Sequence, residues 1–132
     1  MADRDDARLW PYTKFFDESN ENWEKNPEHN RIFLNGKQLY LEDQLNRHGY
    51  LLLNTAYDAL GIPPTQEGQI MGWKKYKTDE EAQLHGAANH VSLGLFANTQ
   101  SVRDFANGYE NSILLRFNVD PEPIIGLVFP KE

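Results

Sequence analysis

The stretch LNTAYDALGIPPTQEGQIMGW, residues 53–73, constrains the fold more tightly than any other part of this chain. Asn54 stands where a helix over residues 55–60 needs a cap, since Asn at that position accepts a hydrogen bond from the first turn. Gly61 is suited to stop that helix in the left-handed conformation, and Pro63-Pro64 forbid its continuation. Thr65 is a second cap candidate, ahead of a single turn over residues 66–70. Residues 71–77 then read as a strand opening on Gly72-Trp73. Polar residues occupy cap and turn positions and apolar residues occupy core positions, so the stretch specifies a fold and supplies no chemistry.

The neighbouring segments extend the same pattern. Residues 31–41 carry RIFL and KQLYL around Asn35-Gly36, the preferred pair for a two-residue hairpin turn. A hairpin there sets Ile32, Leu34, Leu39 and Leu41 on one face. A short helix follows over residues 42–47 and ends at Gly49, and the apolar run 50–53 suits a buried strand. Thr78 with Glu81 three residues on is a capping box, opening a helix that Gly86 ends. Residues 90–96 alternate as a half-buried strand, residues 101–106 suggest a capped turn, and SILLRFNV at 112–119 is the strongest central strand. Pro123 and Pro130 bracket a last edge strand over 124–129. This order predicts an α+β fold: a mostly antiparallel sheet with short helices on one side, preceded by an extended N-terminal arm.

That arm, residues 1–30, has a different composition from the domain expected over 31–132. It holds eight acidic and four basic residues, with Asn20, Asn22, Asn26 and Asn30 scattered through it. Neither a helical nor a strand period is visible, so the arm reads as extended or disordered on its own. Yet it carries Trp10, Tyr12, Phe15, Phe16 and Trp23, and disordered linkers are poor in aromatics. Either it packs back on its own domain, or it wraps a partner protein or a neighbouring copy. Those five aromatics are the candidate partner-binding residues, because aromatic side chains dominate interface energetics.

A net charge of -7 disfavours direct binding to nucleic acid or an anionic membrane, each of which needs a basic face. The absence of cysteine excludes disulfides, thiolate metal sites and cysteine nucleophiles. It suits a virion or host-cytoplasm setting rather than a small secreted scaffold. The first ten residues have no apolar core of a signal peptide, and no apolar run approaches the ~18 residues of a membrane span. Chemistry has few places to reside. His29, His48, His85 and His90 lack metal-ligand spacing. Asp58 beside Tyr57, the polar cluster 103–110 with Arg103 and Asp104, and Lys74, Lys75 and Lys77 around Trp73 each read more simply as surface. No phosphate-binding glycine loop, nucleophile elbow or zinc spacing occurs, and no catalytic, cofactor or metal residue is expected.

Residues 53–73, read as L-N-x-x-Y-x-x-L-G-I-x-x-T-x-x-G-x-x-x-G-W, together with the block from Val91 to Val119, resemble a family of uncharacterised proteins. Its members are encoded by bacteriophages and mobile elements of Gram-positive bacteria. Asn54, Tyr57, Leu60, Gly61, Thr65, Gly68, Gly72 and Trp73 carry most of the likeness, which covers residues 43–121. It does not reach the arm, where that family is longer and more apolar. The resemblance implies a phage or prophage setting and no activity. The expected function is a non-enzymatic virion or accessory protein whose arm docks onto a partner. Two alternatives stand beside it: an intracellular module that binds a host factor, and a small enzyme using Asp58, His85 or Arg103.

Overall fold

Asn26 opens the longest element. Its side-chain oxygen accepts from the backbone N–H groups of Glu28 and His29, at 3.0 and 3.3 Å, and Pro27 takes the first helical position. The helix that follows, α1, runs over Pro27–His48, with Glu28 in its first turn and Arg47 and His48 in its last, complementing the helix dipole. Gly49 ends it at φ 79. The computed structural model describes residues 12–95, 103–105 and 107–125.

This helix replaces the expected hairpin at Asn35-Gly36. Asn30 and Leu34 in its first half, and Leu41 and Leu45 in its second, stand at helical spacing and are buried. Ile32 and Leu39, expected on the same face as Leu34 and Leu41, instead point to solvent. A cap, buried residues at helical spacing and a terminal glycine together outweigh one turn-forming dipeptide. Gly36 in mid-helix still costs about 1 kcal/mol relative to Ala.

The fold is α+β, and its strands pair antiparallel in two two-stranded sheets. Residues up to Gly36 with Ser92–Asn118 form one compact unit, and Lys37–Val91 with the chain from Val119 form another.

In the first unit, β1 (Tyr12–Phe16) pairs with the strand β4 (Ile113–Phe117), from Tyr12 opposite Phe117 to Phe16 opposite Ile113. The arm is therefore extended here as a strand. Ile113, Leu115 and Phe117 are buried in the expected alternation. Phe16 is fully buried, stacked on Phe33 at 5.6 Å and edge-on to Phe105 at 6.3 Å. Rings in this geometry add about 0.5–1.5 kcal/mol each beyond the area they bury. The expected strand at 90–96 does not form over 90–95. Backbone N–H groups of Arg116 and Asn118 reach Leu93 and Ser92, but Gly94, at φ 78 and tight against Arg116, turns the chain out of the extended conformation.

In the second unit, β2 (Tyr50–Leu52) pairs with β3 (Gly72–Lys74). Between them α2 (Leu53–Leu60) buries Leu53, Ala56, Tyr57 and Leu60 at i, i+3, i+4, i+7 spacing, and Gly61 closes it at φ 77. A 3₁₀ turn over Glu67–Gln69 follows. Trp73 is buried in β3. The last helix of this unit, α3 (Asp79–Leu84), starts from Thr78, whose side chain accepts from the Glu81 N–H as expected. The chain after β4 returns along β3, where Asp120 N–H donates to Gly72 and Ile124 N–H to Ile70. Most of the expected strand at 124–129 lies outside the described residues.

A side chain at Gly72 would run into the carbonyl oxygen of Leu51. The Gly72→Ala variant is expected to lose at least about 2 kcal/mol in urea unfolding, and an unchanged midpoint would contradict the close β2–β3 pairing.

Candidate functional site

Two places gather polar side chains around apolar walls, one in each unit. The first is a groove of about 230 Å³ in the unit that contains β1. Trp23, Pro27 and Phe105 supply its apolar walls, and Glu24, Lys25 and Glu110 its charges. Its shape follows from a few local contacts. The indole N–H of Trp23 donates to the Asn111 carbonyl at 2.9 Å, tying the arm to the loop before β4. Asn30, buried at the start of α1, holds both backbone groups of Glu24: its oxygen accepts from the Glu24 N–H at 2.9 Å, and its amide donates to the Glu24 carbonyl at 2.7 Å. Gly108, at φ 82, lets the loop approach Pro27, where a Cβ would come within 2.8 Å of the ring. His29 lies 3.4 Å from the Glu24 carboxylate and 3.2 Å from the Asn22 carbonyl. The groove can take an apolar side chain and, through Glu24 and Glu110, a basic neighbour.

The five aromatics of the arm separate. Phe16 is enclosed in its own unit and has no surface to offer a partner. Trp23 is half-buried in the groove wall. Tyr12 is half-buried on β1, and Phe15 on the same strand is 63% exposed. Trp10 lies outside the described residues.

The second place is a buried carboxylate. Asp120 is 2% exposed. Its Oδ2 accepts from the Lys74 N–H at 3.2 Å and from the Tyr76 hydroxyl at 3.3 Å, while Oδ1 has no partner among the described residues. Burial pushes its pKa up to about 6, against the opposing pull of those hydrogen bonds and of the Lys74 and His85 charges. Tyr76 is pushed up to about 12, by burial first and by the Asp120 charge second. His85 stacks on the Tyr76 ring at 4.9 Å, and the Lys74 ammonium stands 4.5 Å from its centre. Asn89, in the left-handed region at φ 66, accepts from the Tyr76 N–H at 2.7 Å and donates back to its carbonyl. Sequence reasoning missed Asp120, and the only available signal was an acid between an apolar strand and a proline.

The residues considered for catalysis lie on separate elements. Asp58 is exposed on α2, His85 follows α3, and Arg103 is exposed in the other unit. Among the described residues no group of three His, Asp or Glu side chains could hold a metal ion, and no helix is long and apolar enough to cross a membrane.

The chain belongs to a family of unknown function (DUF6353), whose model matches residues 1–128. The match runs through the arm, so the arm is part of this family's pattern. No curated protein and no solved structure matches the chain.

The folded pKa of Asp120, about 6, lies above its ordinary value of 3.8. The fold therefore favours the protonated acid. That stability is fully present below about pH 4, falls as pH rises to about 6, and stays lost above it. The difference corresponds to about 3 kcal/mol. Unfolding of the wild type and of Asp120→Asn between pH 4 and 7 is expected to diverge by up to that amount, the variant lacking this part of the slope. Parallel pH profiles would contradict a carboxyl whose pKa is raised by burial.

Proposed function

We propose that this protein is a non-enzymatic bacteriophage virion or accessory protein that docks a partner protein through the face made by its arm. The single observation supporting this most directly is Phe15, a large aromatic 63% exposed on a two-residue-periodic strand whose next residue, Phe16, is fully buried. Among the described residues β1 stands at an edge of its sheet, and an edge can accept an added strand from a partner. The Trp23 groove lies in the same unit and offers an apolar slot with acidic neighbours. The partner segment best suited to these features is extended, with an apolar anchor and a basic residue beside it. The phage setting, in a virion or the host cytoplasm, rests on the likeness of residues 53–73 to phage-encoded proteins. The acidic surface also favours a second reading, a module that binds a basic host factor.

Because Phe16 is in the core, removing the whole arm would damage the fold, and point substitutions test the reading better. Phe15→Ser and Trp23→Ala are expected to retain the melting transition within a few degrees while losing at least roughly tenfold in affinity for the partner protein captured by the wild type. Retained capture by the double variant would reject docking through the arm. A captured host protein, rather than a particle component, would favour the second reading.

A further inference from the structure

We propose that Asn107-Gly108 is a site of spontaneous modification, where the side-chain amide is lost through a cyclic imide that water then opens. The fold shields the chain's other Asn-Gly pair, Asn35-Gly36. The step is an internal acyl transfer. The Gly108 backbone nitrogen, having given up its proton, attacks Asn107 Cγ. The N–Cγ bond forms, the Cγ–Nδ2 bond breaks, and the amide nitrogen leaves as ammonia carrying that proton. Water opens the imide at either carbonyl. One opening gives aspartate, and the other gives isoaspartate, in which the main chain runs through the side-chain carbons. Nothing is oxidised or reduced. Glycine favours the attack because no Cβ crowds its nitrogen.

Both residues of both pairs are exposed, so access to solvent does not separate them. Backbone conformation does. Gly36 lies well inside α1, where its N–H is committed to the helical ladder and the peptide cannot turn toward the preceding side chain. Asn107 and Gly108 instead form the turn by which the chain leaves the helical residues 103–105. The Tyr109 N–H donates to the Asp104 carbonyl at 2.8 Å and the Gly108 N–H to the Phe105 carbonyl at 3.2 Å, with Gly108 left-handed at φ 82. This is a helix-ending motif. The hydrogen bond that the attacking nitrogen must release is the longer of the two, and it stands at a helix end, where local opening is least costly.

The site belongs to the loop that shapes the groove. Gly108 passes so near Pro27 that a Cβ would come within 2.8 Å of its ring, and Gly108 and Glu110 both line the groove. Isoaspartate adds one atom to the backbone just ahead of that contact. Either product adds a negative charge to a loop that already holds Asp104 and Glu110. The modified groove is therefore more acidic and less closely packed at Pro27. The chemistry stands whatever the groove binds.

The test follows the full chain, folded in mildly alkaline buffer and unfolded in urea, with peptide mass spectrometry measuring conversion at each pair. Methylation by an isoaspartyl methyltransferase identifies the isoaspartate. In the folded chain Asn107 is expected to convert at least roughly tenfold faster than Asn35, and in urea the two rates are expected to agree within about threefold. Asn107→Gln, which would need a six-membered imide, is expected to remove the acidic species that otherwise accumulates on ion exchange. Equal rates in the folded chain, a preference for Asn35, or conversion of Asn107 only in urea overturns the proposal. So does an undiminished preference for Asn107 in urea, which would assign it to local sequence instead of the fold.

Discussion

Three buried or half-buried asparagines do the same job in this molecule, and much of the rest follows from them. Asn30 holds Glu24, Asn54 holds Thr65 and Asn89 holds Tyr76, each pairing its amide with both the N–H and the C=O of one residue. A side-chain amide can do this because it carries one acceptor and two donors in a plane, like a peptide group. It supplies a loop with the hydrogen bonds that a neighbouring strand would otherwise give. Breaking one such pair leaves two backbone groups short of partners, at about 1–3 kcal/mol each where they are buried. Asn54 illustrates how tightly this is built. Thr65, once held, accepts from the Gly68 N–H at 3.0 Å, and Gly68 has no side chain because Asn54 fills that space.

The same pairings set the features on which function could rest. Asn30 orders the start of the groove wall by fixing Glu24 beside Trp23 and the cap of α1. Asn89 fixes the backbone of Tyr76, whose hydroxyl then meets Asp120. Asp120 in turn joins the chain after β4 to β3, by its own N–H to Gly72 and by its carboxylate to Lys74. The penalty of burying that carboxylate is offset by what it organises. The loops of a small protein with short strands are thereby made rigid without disulfides, which a chain lacking cysteine could not form in any case.

How far this was legible in the sequence depends on whether a residue acts locally. Gly61, Thr78 with Glu81, and the alternation through Ile113, Leu115 and Phe117 act within a few positions, and each was readable. Asn54 was not. It resembles a helix cap, but α2 already begins at Leu53, and the amide reaches Thr65 eleven positions on. Asn30 and Asn26 looked like the composition of a disordered arm, whereas one is a clamp and the other a helix cap. Asn35-Gly36 looked like a turn because its local preference is real, yet the spacing of Leu34, Leu41 and Leu45 and the cap at Asn26 prevail. Of the site, the aromatic arm was visible as a list of residues. Its division into a core ring, a groove wall and an exposed ring was not, because that depends on pairing with β4 a hundred positions away.

The asparagine pairings are tested most directly by Asn54→Asp, which keeps the shape and removes the donor. Its unfolding free energy in urea can be compared with that of Asn35→Asp, an exposed asparagine on α1. A loss of at least about 2 kcal/mol at Asn54 is expected, against less than about 0.5 kcal/mol at Asn35. Equal losses at the two positions would mean that the amide pairing does not hold the fold together.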